Sequence, residues 1–212
     1  LLKGIKRSNE IGIKTFVSAS AIGIYQNDFE KNYTENETVD PENFIQKTVY
    51  EWEKKSMSVR KLIPCTSILR IGLVLSKKYG YLKETDYPMK FGIGIQLGSG
   101  NQWQSWIHIN DIANIFLFIA GINTSGIYNA VAPKPLPQKL FLKKIRLSSY
   151  RKFIIIKLPS FFLKFFFGER ASILLDSQRV SSKKILELGY DFVYKEVDEA
   201  LNNLYNRDDN LT

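Results

Sequence analysis

A serine-rich strand end, one tyrosine–lysine pair and one histidine are the residues of this sequence whose types and spacing could do chemistry. Lys14-Thr-Phe-Val-Ser18 reads as a short buried strand running into the small-residue turn Ala19-Ser20-Ala21, with Tyr25 close behind. Open α/β sheets bind ligands at strand C-termini, so Ser18, Ser20 and Tyr25 are candidates to meet one. Tyr50-Glu-Trp-Glu-Lys54 places a phenol and an ammonium on one helix face, where a cation favours the phenolate; an ordinary exposed pair has the same spacing. His108 is the single histidine, and it is read either as a packed core residue or as a pocket residue. Cys65 follows Pro64 at a strand entry and looks inert. One Cys and one His exclude an intramolecular disulfide and a Cys/His zinc cluster, so no metal is expected. Gly92-Ile-Gly94 is not a phosphate-binding fingerprint, because a polar glycine-rich segment follows it where a helix is needed.

The elements that must position these residues follow from pattern and punctuation. Residues 26–40 form a polar loop, and Asp40-Pro41 is expected to open a helix with Phe44, Val49 and Trp52 along it. Residues 66–74 make a second strand interrupted by Gly72, and Gly92, Gly94, Gly98 and Gly100 a flexible turn region. Trp106-Ile107 is extended, Asn110 or Asp111 caps a helix to about Ala120, and residues 127–130 are a third strand. The charge-free run 112–133 carries several Asn, Ser and Thr residues, which suits a buried helix and strand rather than a membrane span. This rhythm predicts an α/β fold with a mostly parallel sheet. Beyond Pro133, Pro135 and Pro137 the chain reads as a small, mostly helical domain over 134–207, with a tail at 208–212. Within it Pro159-Ser160 opens a helix that stops at Gly168, and Ser182 caps another.

Composition sets the class. The 212 residues are 44% apolar and 24% charged, enough to bury about 70% of the unfolded surface. A reduced, cytoplasmic setting is expected from the lone cysteine. No signal peptide is read, and the opening Leu1-Leu2 suggests a start further upstream. The net charge of +9 is uneven: residues 134–184 carry 13 basic and 2 acidic side chains, and the remainder is slightly acidic. The Phe-rich stretch 151–170 could lie on an anionic membrane or stack on nucleic acid; docking of Phe162, Phe165 and Phe166 on the sheet is preferred. Cations around a phosphorylated substrate are a further use of this charge.

Several segments together resemble a known family. They are Phe16-Val-Ser-Ala-Ser-Ala21 with Tyr25, Phe44…Trp52-Glu53, Arg70-Ile-Gly-Leu-Val-Leu75, Leu97-Gly-Ser-Gly100, Trp106-Ile-His108-Ile-Asn-Asp111 and Tyr128-Asn-Ala-Val-Ala-Pro133. With Leu158-Pro159, Gly168-Glu169, Ser177-Gln-Arg-Val180 and Leu188-Gly-Tyr190, they resemble the "epimerase family protein" branch of the atypical extended short-chain dehydrogenases/reductases. The resemblance implies an incomplete Rossmann fold lacking its N-terminal strands and Gly-rich phosphate turn, followed by a small C-terminal domain of unknown function.

The same resemblance implies NADP or NAD as cofactor and a small-molecule substrate such as a nucleotide-sugar, with no nucleic-acid or membrane partner. Ser20 occupies the place of the family's substrate-binding serine, with Tyr25 as the nearby phenol; both are candidate catalytic residues. Ser18, Arg70, Ile71, Gly72 and Val74 are expected along the cofactor, and Trp106 and His108 in the substrate pocket. The family's Tyr-x-x-x-Lys register falls on Ile45 and Val49, which transfer no proton. The alternatives are a non-catalytic NADP(H)-binding regulator and a peripheral membrane-surface protein.

Overall fold

The computed structural model describes residues 12–149 and 152–206. The opening Leu1-Leu2 and the tail expected at 208–212 lie outside the described residues. Alternating apolar and small residues make strand β1 (Thr15–Ala21), and β3 (Cys65–Ile71) is buried almost throughout, its polar Thr66, Ser67 and Arg70 included. These pair in parallel with each other and with β8 (Gly126–Ala130), in the order β1-β3-β8. β3 is central and covered on both faces, as parallel strands require. Among the described residues β1 pairs on one edge only.

Strand alternation sorts the two faces. Val17 packs with Ile112, Ile115 and Ile119 of helix α3 (Ile109–Gly121), while Ser18 and Ser20 meet helix α1 (Phe44–Met57) on the other side. The start of α1 differs from expectation. Asn43, not Asp40, is the N-cap: its side chain accepts from the Gln46 amide at 2.9 Å, and the Gln46 side chain accepts from the Asn43 amide at 3.3 Å. Satisfying two helix-end donors at once outweighs a lone Asp before proline. Of Phe44, Val49 and Trp52 only Val49 is buried; the inward stripe is Gln46, Val49, Glu53 and Ser56.

At Gly72 the central strand breaks and resumes as β4 (Leu73–Leu75), which pairs in parallel with β7 (Trp106–His108). The break has a steric cause. The Ser105 carbonyl oxygen sits where a Gly72 Cβ would be, and it accepts from the Leu73 amide at 2.8 Å. The glycine region expected to be a turn instead holds strand β5 (Ile93–Leu97), with turns at Gly92, Gly98 and Gly100. β5 pairs in parallel with β10 (Ile154–Leu158), whose run of isoleucines suits a pleated surface.

The cap of α3 also differs. His108 takes that place, Nδ1 accepting from the Asn110 amide at 3.1 Å. Asp111 is used for something else. Its carboxylate accepts from the Val193 and Tyr194 amides at 2.9 and 3.0 Å and from the Tyr190 hydroxyl at 2.9 Å, fastening the C-terminal segment to α3. Burial, and then this carboxylate, hold the Tyr190 phenol above its ordinary range. Asp111→Ala strands these donors and should lower the unfolding free energy by about 2 kcal/mol. An unchanged urea midpoint would show the clamp to be dispensable.

Helices α4 (Gln138–Ser148) and α8 (Val197–Asn206) pack together. Phe141, Ile145, Leu201 and Leu204 share one cluster with Leu82 and Met89 of α2 (Tyr81–Lys90) and with Trp106. The proline joint at 133–137 therefore does not separate two cores. Strands β6 (Trp103–Gln104) and β9 (Leu136–Pro137) pair antiparallel, and the short strand β11 (Arg179–Val180), between helices α6 (Ser172–Leu175) and α7 (Lys183–Glu187), returns to pair with β2 (Asn32–Tyr33). Helix α5 (Ser160–Phe167) stops at Gly168 as expected, but its docking face is not the phenylalanines. Phe162, Phe165 and Phe166 are exposed at 43%, 82% and 73%, while Leu163 is buried, because it is the residue turned inward in this short helix. The Phe161 ring lies against that of Phe162 at 4.1 Å between centroids, Phe165 and Phe166 stay largely open, and no helix of the described residues is long and apolar enough to cross a membrane.

Candidate functional site

Beneath the C-terminal ends of β1 and β3 lies a buried polar network. Arg70 grips Glu53 through two bonds, Nη2 to Oε2 at 2.8 Å and Nε to Oε1 at 2.9 Å. Ser20 Oγ donates to the same Oε1 at 2.6 Å. Arg70 Nη1 donates to the Tyr25 hydroxyl at 3.0 Å, and that hydroxyl donates to Asn129 Oδ1 at 2.8 Å. The sequence places these partners by alternation: Ser20 on β1 and Arg70 on β3 are register neighbours on the face that meets Glu53 of α1. Burial raises the Tyr25 phenol above its ordinary range, with Arg70 opposing, so it stays protonated near neutral pH. For Arg70 burial works against the charge, but the Glu53 hydrogen bond and charge prevail and hold the guanidinium ionised.

Above this floor two cavities open at the strand ends, where α/β sheets bind ligands. The inner one, about 290 Å³, is formed by Ala21, Ile22, Gly23, Ile45, Ile71 and Gly72, with Ser105 and Gln178 beside them. The outer one, about 650 Å³, takes in Asn27, Ser99, Gln102, Ser160 and Lys164. Asn43, Ser172 and Asp176 line both and join them. Burial raises the Asp176 carboxyl above its ordinary range, and Lys164 pulls it back down.

The expected site residues divide accordingly. Ile71 and Gly72 line the inner cavity. Ser20, Tyr25 and Arg70 do not: they belong to the buried floor, where Ser20 faces Glu53 rather than a ligand. Ser18 is bonded to Ser56 at 3.0 Å, and Val74 packs beside the cluster under α3. Trp106 and His108, expected in the substrate pocket, line neither of these two cavities. Both are fully buried, Trp106 donating to the Lys134 carbonyl oxygen at 2.9 Å and His108 stacking on Tyr194 at 3.9 Å between centroids. Ile45 lines the inner cavity and Val49 lies in the core with Ile24 and Tyr25, while Tyr50 and Lys54 face solvent. Asn43, Ser172, Asp176 and Gln178 went unread as site residues. The signal that could have found the last two is the motif Ser177-Gln-Arg-Val180, which contains Gln178 and directly follows Asp176.

A nicotinamide ring fits the character of the inner cavity. Ile22, Ile45 and Ile71 offer the apolar faces that a planar ring packs against. A pyrophosphate has no glycine-rich strand–turn–helix among the described residues to receive it.

Residues 158–204 match the family model of a domain of unknown function, DUF1731. The chain is 36% identical over 192 residues to an epimerase family protein of Staphylococcus aureus (strain N315), covering 90% of this chain and 64% of that relative. Against the epimerase family protein YfhF of Bacillus subtilis (strain 168) the identity is 34%, with 90% and 63% covered. The crystal structure of human epimerase family protein SDR39U1 (isoform 2) with NADPH superposes with a TM-score of 0.82 at 29% identity, over 91% of this chain and 65% of that one. A dTDP-4-dehydrorhamnose reductase from Bacillus anthracis in complex with NADP, at 19% identity and a TM-score of 0.75, shares the fold. The chain thus spans a little under two thirds of the relatives it matches.

Proposed function

We propose, because this chain is a relative of the epimerase family proteins among the atypical short-chain dehydrogenases/reductases, that it forms the nicotinamide and substrate side of an NADP(H)-dependent protein. Its substrate would be a small molecule bearing a carbonyl or secondary hydroxyl, such as a nucleotide-linked sugar. The observation that carries this reading is the inner cavity at the ends of β1 and β3, walled by Ile71 and Gly72 and open to a larger chamber that Lys164 and Asp176 line. The NADPH of the human relative supports the choice of cofactor.

A bound nicotinamide would supply a hydride. Ile22, Ile45 and Ile71 would hold its ring and exclude water, and the Arg70–Glu53 floor would keep the two strand ends in register beneath it. Asn27, Ser99 and Ser160 offer the substrate hydroxyls hydrogen bonds in the outer chamber, with Lys164 for a phosphate. The single free cysteine suits a reducing, cytoplasmic setting.

Calorimetry tests the half-site. The 212-residue chain should bind NADPH far more weakly than a version extended by the segment matching the relatives' N-terminal third. Micromolar binding by the chain alone would overturn the division. A second reading, a non-catalytic NADP(H)-binding regulator, is favoured by Ile45, an aliphatic residue in the cavity at the family's tyrosine register. NADPH bound by the extended protein, with no oxidation across a panel of carbonyl and nucleotide-sugar substrates, would select it.

A further inference from the structure

We propose that the Asp176 carboxyl is the proton-transfer group of the joined cavities, serving the oxygen of a bound carbonyl or secondary alcohol. The proposal rests on reading the inner cavity as a nicotinamide site. Asp176 lines both chambers, so its carboxyl stands where a ring in one would meet a substrate in the other. It is the charged side chain of the inner lining, and Lys164 is the one other charged side chain of the outer, among the described residues. The groups facing it from the other elements are the neutral Asn27, Asn43, Ser172 and Gln178.

Its position is fixed by the backbone. The Asp176 amide donates to the Ser172 carbonyl oxygen at 2.8 Å, and the Ser177 amide to Asn27 Oδ1 at 2.8 Å. Ser105 Oγ donates to the Gln178 carbonyl oxygen at 2.8 Å and accepts from the Val180 amide at 2.9 Å. No hydrogen bond or ion pair ties up the carboxylate among the described residues. A held backbone with an uncommitted carboxyl is the arrangement a proton donor needs. Half-burial favours the protonated form, and Lys164 stabilises the carboxylate left after transfer.

For reduction, a dihydronicotinamide held by Ile22, Ile45 and Ile71 would supply the hydride that the carbonyl carbon takes up, and would leave as the oxidised nicotinamide. The carbonyl oxygen gains the Asp176 proton, and the carboxylate is reprotonated from solvent through the outer chamber. Oxidation of an alcohol runs the same transfers backwards. The reducing direction needs the acid form, so its rate falls as pH rises through the Asp176 pKa.

Reduced nicotinamide mononucleotide is the probe, since it asks nothing of a distant phosphate site. In the 212-residue chain with ¹³C-labelled aspartates, the Asp176 carboxyl should titrate above the ordinary value of about 3.9. It should move higher in Lys164→Met, and higher again as the probe shifts the Gly72 amide resonance. With a panel of small diketones, Asp176→Asn should slow probe oxidation by about 10²–10⁴-fold. It should abolish the high-pH limb and keep the Gly72 shift, and Asp176→Glu should restore part of the rate. An ordinary titration indifferent to Lys164, an undiminished rate in Asp176→Asn, or no probe oxidation by the wild type overturns the assignment. No probe-induced shift at Gly72 overturns the nicotinamide reading itself, and the assignment with it.

Discussion

Arg70→Met is expected to lower the unfolding free energy by about 3–5 kcal/mol, because it leaves a buried carboxylate without its cation. Arg70 is 3% and Glu53 6% exposed, and two short bonds join them in a setting where solvent cannot take over. Ser20 would be the remaining donor to Glu53, and the Tyr25 hydroxyl would lose the one it accepts from Arg70. The loss should read as a lower urea midpoint with an unchanged slope. Arg70→Met with Glu53→Gln should recover much of it, since removing both charges ends the uncompensated burial. If the double variant is no more stable than Arg70→Met, packing and not charge is what Arg70 supplies. Alkaline pH probes the same network. Tyr25 keeps its proton in the folded protein beyond the pH at which the unfolded phenol loses it. The stability it contributes is therefore complete below about pH 10 and declines as pH rises towards the folded-state value. Tyr25→Phe should flatten that decline in urea titrations run at alkaline pH.

Much of this architecture was legible because the informative residues act locally. Gly72 inside an apolar run marks a close backbone approach, and Ile71 and Gly72 do wall the inner cavity. Gly168 ends its helix for the conformational reason that makes glycine a terminator. Where two neighbours could perform one local task, pattern did not choose between them. Asp40 and Asn43 both suit an N-cap, and only Asn43 has a glutamine three residues on to answer it. Asp111 suits a cap as well as His108 does, yet the Val193 and Tyr194 amides claim it from the far end of the chain.

Side-chain direction was the harder part of the site. A serine at a strand end can face a ligand or a covering helix, and the buried Glu53 decides for the helix. Asp176 was hard to place for another reason: the motif beside it marks the segment, but the segment reaches the ends of β1 and β3 through the return of strand β11 to pair with β2. The exposed phenylalanines of α5 reverse the expected docking, since one inward leucine suffices to seat so short a helix.

Gly72→Ala is expected to destabilise the fold by about 1–3 kcal/mol and to disorganise the site as well. The new methyl would collide with the Ser105 carbonyl oxygen, lie 2.7 Å from Val131 Cγ1 and 3.1 Å from the Ser105 carbonyl carbon. Two of these are backbone atoms that cannot swing aside. The Leu73 amide and the β4–β7 ladder hold Ser105 in place, so relief requires moving the ladder. Ser105 in turn bonds Gln178 and Val180, so its displacement is passed to the segment that carries Asp176. The variant should therefore combine a lower urea midpoint with loss of the response of cavity resonances to reduced nicotinamide mononucleotide. Gly121→Ala is the matched control. Outside its own helix backbone and chain neighbours nothing lies within 4 Å of its would-be methyl, and at the end of α3 alanine should be neutral or stabilising by about 0.5 kcal/mol. If both variants behave alike, the close approach at Gly72 is not what shapes the cavity. If Gly72→Ala alone loses the probe response, the break in the central strand is the feature that opens the site.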